Sequence, residues 1–277
     1  MRQLLNRGRT LVMGIVNTTP DSFSDGGAYL DPQAAIAHGC LLLEQGADIV
    51  DVGGESTRPG ALRVSLDDEL ARVLPVIRAL AAAGAVVSVD TMRAPVANAA
   101  VDAGAVIVND VSGGLDDPAM LHAVAERGVG YIAMHWRGQS DRMQNLAVYA
   151  DVVAEVRAEL AARRDAALAA GIAGENLVLD PGLGFAKTAA HNWTLLAHLD
   201  ALQSLGQPLL VGASRKRFLG ELMTGRPPGE RDDATVALTT LLARQGVWAV
   251  RTHSVRAHRD ASAVVQRLGQ EAVRTVQ

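Results

Sequence analysis

Apolar runs of four to seven residues alternate along the chain with longer segments in which apolar residues recur every three or four positions. The runs lie at 10–16, 49–53, 86–90, 106–109, 131–134, 177–180, 209–212 and 249–252 and are bounded by turn residues. Near-continuous apolar runs of this length suit strands covered on both faces, as in a parallel sheet. The helical patterns fall between and after them, at 32–45, 66–82, 94–103, 118–126, 149–170, 193–202, 234–245 and 255–268. Start and stop signals agree: Asp31 precedes Pro32, Ser65-Leu66-Asp67-Asp68 reads as a capping box, and Gly46, Gly84, Gly104, Gly128, Gly171 and Gly246 stand where helices end. Strict alternation implies a parallel sheet with right-handed crossovers, and eight units predict an α/β protein, a single-domain (β/α)8 TIM barrel over 1–277. A doubly wound open sheet is the alternative.

Composition narrows the partner. The chain has 277 residues, 49% of them hydrophobic and only 3% aromatic, so aliphatic side chains must fill the core. A net charge of -4 gives no basic stripe for nucleic acid or an anionic membrane, which leaves a small molecule as the expected partner. The single cysteine, Cys40, sits in a helical pattern beside Leu41, Leu42 and Leu43 and reads as a core thiol. No signal-peptide or membrane-spanning stretch is visible, and a cytoplasmic location is expected.

The ends of the strands carry the chemistry. In order they present Asn17; Gly53-Gly54-Glu55-Ser56-Thr57-Arg58-Pro59; Asp90-Thr91-Met92-Arg93; Asn109-Asp110; Met134-His135; Asp180; Gly212-Ala213-Ser214-Arg215-Lys216; and Arg251-Thr252-His253. In a barrel these ends converge on one face, so scattered positions become one pocket. Asp90, Asn109 and Asp180 fit a flat heterocycle with a guanidine-like edge, while Lys216, Arg58 and Arg251, with His253, fit diphosphate or carboxylate. Internal pairing, such as Asp180 with Lys216, is the plain alternative. His135 could touch a ligand or be held by a loop. Asp21 and Asp25 are either loop residues that close over the site or turn formers.

Four stretches closely resemble the signatures of the dihydropteroate synthase family: Asn17-Thr18-Thr19-Pro20-Asp21-Ser22-Phe23-Ser24-Asp25-Gly26-Gly27, Asp51-Val52-Gly53-Gly54-Glu55-Ser56-Thr57-Arg58-Pro59-Gly60, Asp180-Pro181-Gly182-Leu183-Gly184-Phe185 and Ser214-Arg215-Lys216. The resemblance covers essentially the whole chain, in order. It implies a (β/α)8 barrel joining p-aminobenzoate to dihydropterin hydroxymethyl diphosphate, with release of diphosphate, and a homodimer. Carried over by residue, it implies a pterin subsite of Asp90, Asn109, Met134, Asp180, Phe185, Gly212 and Lys216. Diphosphate would meet Asn17, Thr57, Arg58, Arg251 and His253, with Mg²⁺ that Asn17 helps to hold. p-Aminobenzoate would lie against Phe23, Thr57, Arg58, Pro59, Ser214 and Lys216, and Asp21, Arg58 and Lys216 would serve catalysis.

The loops at 18–30 and 54–64 offer few apolar anchors, so they are expected to be mobile in the empty site and p-aminobenzoate to follow the diphosphate. Residues 234–243 carry no charge, unlike an outer-ring helix facing water, and point to a dimer contact there. One departure stands out: the family usually has Asp after the last-strand His, and here it is Ser254, which removes an orienting carboxylate for His253. Competing readings are a non-catalytic pterin-binding paralogue and a methyltetrahydrofolate-dependent methyltransferase. A metal-dependent barrel hydrolase is disfavoured by the missing metal-ligand spacing.

Overall fold

Eight parallel strands, β1 (Leu11–Asn17), β2 (Ile49–Gly53), β3 (Val87–Asp90), β4 (Ile107–Asp110), β5 (Gly130–Met134), β6 (Leu177–Asp180), β7 (Leu210–Val211) and β8 (Ala249–Thr252), pair in the order β6-β5-β4-β3-β2-β1-β8-β7. The computed structural model describes residues 1–5, 7–19, 32–56 and 60–274. The two end strands meet through a parallel bridge between Leu179 and Leu209, and Leu179 donates its N–H to the Pro208 carbonyl at 2.9 Å. The sheet is therefore a TIM barrel. An open sheet is ruled out by that closure.

The helices are α1 (Arg2–Leu5), α2 (Pro32–Glu44), α3 (Leu66–Ala82), α4 (Ala94–Asp102), α5 (Met120–Arg127), α6 (Val152–Ala169), α7 (Ala189–Ala197), α8 (Leu199–Gln203), α9 (Arg217–Gly220), α10 (Asp232–Arg244) and α11 (Val255–Arg274). Ser65 caps α3 by accepting from Asp68 N–H, as its sequence suggests, while Asp68 accepts from the Ser65 hydroxyl. Three differences from the periodicity have local causes. A helix expected at 193–202 is two: α7 starts four residues earlier, on a capping box between Thr188 and His191, and the chain breaks at His198 before α8. The turn before α6 ends on Asp151, which accepts from the N–H groups of Val153 and Ala154, so the helix begins later than residue 149. α1 and α9 are four residues each, too short to show a period.

Alternate strand residues face the lumen, and those residues form two layers. Towards the strand starts the layer is apolar: Leu11, Met13, Ile49, Ile107, Ile132, Val178, Leu210 and Ala249 pack together, with Leu4 of α1 and Trp248 closing that end. One pleat further along, the same faces carry Asp51, Asp90, Asn109, Met134, Asp180 and Arg251. The outward residues, among them Val12, Val50, Val89, Val108 and Leu179, pack under the helices in one continuous core. The fold thus supplies a dry floor and a polar layer above it.

Candidate active site

Asp180 ends β6 only 6% exposed, and its Oδ1 accepts from Gly182 N–H at 2.7 Å. Burial pushes its pKa up and Lys216 pulls it back down. No ion pair joins it to Lys216: Lys216 Nζ instead donates to the Leu183 carbonyl and lies 4.9 Å from the centre of the Phe185 ring. Burial lowers the Lys216 pKa to about 8, with Asp180 opposing the shift. Acceptor and donor therefore favour one another's charge without a direct bond between them.

Asp90, Asn109 and Arg251 converge on the same layer. Arg251 donates from Nε to Asp51 at 2.7 Å and from Nη2 to Asp90 at 2.8 Å, while Asn109 Nδ2 donates to Asp51 at 3.0 Å. Internal pairing, rejected for Asp180, thus holds for this arginine. Asp90 is raised to about 7 by burial first, with Arg251 opposing and Asp51, Glu69 and Asp110 reinforcing the rise. Met134 is buried and joins Met92 and Val111 with Phe185 and Trp136 alongside, an apolar slot over the polar layer. At Gly212 an added Cβ would lie 3.8 Å from Lys216 Nζ and from Arg251 Cβ. Any larger side chain there would enter the space between the two cations.

Ser214 Oγ lies 2.9 Å from His253 Nδ1 and also accepts from His253 N–H at 3.2 Å. The orientation that a carboxylate at position 254 would give His253 comes instead from the preceding strand's loop. Asn17 closes β1 half-buried, paired in register with Gly53. The sequence-derived residues Asp21, Phe23, Thr57, Arg58 and Pro59, and the cap at Asp31, lie outside the described residues.

Sequence reasoning missed two members. Asp51 sits within a strand, fully buried, and joins Asn109 to Arg251; its signal was a charged residue on the lumen face two positions before Gly53. Lys187, 4% exposed, donates to the carbonyls of Gly182 and Phe185, both at 3.1 Å, and lies 2.8 Å from His135 Nδ1. His135 Nε2 lies 2.9 Å from Glu159, which Arg137 also holds. Burial lowers the His135 pKa to about 4, so the ring is neutral near pH 7, donating to Glu159 and accepting from Lys187. His135 is a brace for the 181–187 turn. In that turn Gly182 has φ +63°, and a Cβ there would come within 2.4 Å of the His135 carbonyl oxygen, so only glycine fits.

Among the described residues no group of three or more His, Cys, Asp or Glu is placed to hold a metal ion. No helix among them is long and apolar enough to cross a membrane.

The sequence profile described as pterin binding enzyme matches residues 13–253. A dihydropteroate synthase of Mycobacterium leprae is 56% identical over 260 residues, covering 92% of each chain. The Xanthomonas albilineans dihydropteroate synthase solved with 4-aminobenzoic acid superposes with a TM-score of 0.88 at 48% identity, covering 94% of this chain and 93% of that one. The X. albilineans dihydropteroate synthase solved in complex with 7,8-dihydropteroate gives 0.84 at 45% identity, covering 94% of each. The chain belongs to the pterin-binding enzymes and, among them, to the dihydropteroate synthase family.

Proposed function

We infer that the protein condenses p-aminobenzoate with dihydropterin hydroxymethyl diphosphate to give dihydropteroate and diphosphate. The observation that carries this reading is that the buried Asp180 carboxylate and Lys216 ammonium make no direct bond to one another beside the apolar cluster of Met92, Val111, Met134 and Phe185: they suit a flat heterocycle with donors on one edge and acceptors on the other. In this reading Asp180 accepts from the pterin amino group and ring N–H, Asn109 and Asp90 complete that edge, and Lys216 meets the acceptor edge. Phe185, Met134 and Gly212 bound the ring. The C–O bond to diphosphate breaks, the amine nitrogen of p-aminobenzoate forms the new C–N bond to the pterin methylene, and the amine proton is lost. The chain's own work is to hold the two reactants in line and to neutralise the leaving group.

Asn17, Arg251 and His253, with Thr57 and Arg58, would receive the diphosphate, and Ser214, Lys216, Phe23, Thr57, Arg58 and Pro59 would receive p-aminobenzoate. Asp21, with Arg58 and Lys216, would act at the reacting centre. Mg²⁺ fits this donor set: Asn17 offers an amide oxygen at a half-buried strand end with no side-chain hydrogen bond among the described residues, and Mg²⁺ takes most of its shell from water and phosphate oxygens. When bound it would supply positive charge for the departing diphosphate. Purified protein with both substrates and Mg²⁺ is expected to release diphosphate; none released, with the pterin substrate bound, would leave a non-catalytic pterin-binding paralogue.

A homodimer through α10 and its neighbour α11 is part of the reading, as is a cytoplasmic location. α10 buries Thr235, Leu238, Thr239 and Leu242 against the barrel and leaves Leu241 59% exposed; on α11, Val264 and Leu268 are also exposed. Light scattering at micromolar concentration is expected to give twice the chain mass for the native protein and a lower mass for Leu241→Glu. A native monomer would refute the dimer.

A further inference from the structure

We propose that Asp51 is a positioning residue of the pterin subsite: it aims the Arg251 guanidinium and turns the Asn109 amide so that its carbonyl oxygen is left for the ligand. The proposal rests on the pterin reading of the site and deepens it. Asp51 is fully buried at the middle of the polar layer, and its Oδ2 accepts from both Asn109 Nδ2 and Arg251 Nε. Its Oδ1 has no hydrogen-bond partner among the described residues. A buried carboxylate with one oxygen unpaired is a poor stabiliser, since a hydrophobic side chain of similar size would avoid the desolvation penalty. Its value lies in the orientations it imposes.

Those orientations decide what the pocket recognises. An amide can offer either its oxygen or its NH2 group to a ligand. With Nδ2 committed to Asp51, Asn109 presents an acceptor, in line with Asp180. Arg251, with Nε on Asp51 and Nη2 on Asp90, has one face of its fork occupied and the remaining N–H groups for an anion. Asp51 therefore separates an acceptor edge for the heterocycle from a donor group for the leaving group. It also bears on Asp90, the group facing Arg251 from β3. Arg251 favours the Asp90 charge, whereas Asp51, Glu69 and Asp110 and burial itself oppose it.

Asp51→Asn, which keeps the shape and removes the charge, tests this. It takes one repulsion from Asp90 and releases Arg251 to pair with Asp90 more fully, so both effects lower the Asp90 midpoint. Carboxyl carbon NMR of the ligand-free protein is expected to show that midpoint move down from about 7 by about one pH unit. An unchanged midpoint would overturn the proposal, because it would show that Asp51 bears on neither Arg251 nor Asp90. Calorimetry with a pterin is expected to show binding weakened at least about tenfold relative to the native protein; undiminished affinity would also overturn it. Should the variant not fold, hydrogen exchange of the Asn109 side-chain amide in the native protein decides the matter: strong protection supports the buried bond to Asp51, and exchange at the rate of an exposed amide refutes it. If the native protein itself binds no pterin, the functional reading falls, while the Asp90 titration still reports on Asp51.

Discussion

Asp180→Asn is expected to abolish measurable pterin binding while leaving the protein folded. The carboxylate lies at the base of the pocket with Oδ1 on the Gly182 N–H at 2.7 Å. An asparagine of the same shape can keep its oxygen on Gly182, but then its NH2 group faces the donor edge of the ligand. A donor–donor contact replaces a charge-assisted bond, and the buried loss is about 3 kcal/mol or more, a weakening of more than about a hundredfold. Stability should change little or rise. Burial raises the Asp180 pKa more than Lys216, Arg251 and Lys187 lower it, so the native carboxylate carries a desolvation penalty that the neutral amide removes. Titration calorimetry with a pterin, alongside thermal unfolding, measures both effects. Near-native affinity in a folded variant would remove Asp180 from the pterin subsite.

Much of this site could be read from the chain because parallel strands covered on both faces give unmistakable apolar runs, and a barrel places their ends together. β6 occupies 177–180 and β2 occupies 49–53, as the pattern predicts, and Asp180, Asn109 and Lys216 arrive in one pocket. What escaped were features without periodicity. The start of α7 depends on a single Thr188–His191 capping box in a stretch of alanines. β7 shrinks to Leu210–Val211 because the chain turns at Gly212 towards Ser214 and Lys216. Partnerships were also hidden: nothing in the spacing of Arg251 says that its guanidinium reaches across the lumen to Asp51 and Asp90, nor that His135 looks away from the pocket to Glu159 and Lys187. Those pairings depend on which residues share a layer, a property of the closed barrel and not of any one segment.

Lys187→Met is expected to lose both stability and pterin affinity, although Lys187 lies behind the turn and not in the pocket. The turn between Asp180 and α7 is unusual backbone: Gly182 and Gly184 have φ of +63° and +81°, and Ala186, which bears a side chain, has φ +47°. Such conformations persist only where surrounding contacts over-determine them. Lys187 supplies several of those contacts, through the carbonyls of Gly182 and Phe185 and through His135, and Tyr149 adds a hydroxyl bond to the Ala186 carbonyl at 3.0 Å. Methionine fills similar volume without donors, leaving the Phe185 carbonyl and His135 Nδ1 unpaired, while the Gly182 carbonyl keeps the Phe185 N–H at 3.1 Å. At about 1–3 kcal/mol each, and less than additively as the turn relaxes, the expected loss is roughly 2 kcal/mol. The functional consequence follows from the opposite side of the same turn. Lys216 reaches the Leu183 carbonyl and the Phe185 ring, so a turn that relaxes withdraws both the ammonium's anchor and the ring that walls the slot. Urea unfolding should show the lower stability, and calorimetry below the new midpoint should show weaker pterin binding. Glu159→Gln, which keeps a hydrogen-bond acceptor for His135 and leaves Lys187 in place but gives up the charge paired with Arg137, should cost less stability than Lys187→Met and leave pterin affinity close to native. A Lys187→Met variant as stable as the native protein would show that the turn holds its shape without the buried Lys187 amine.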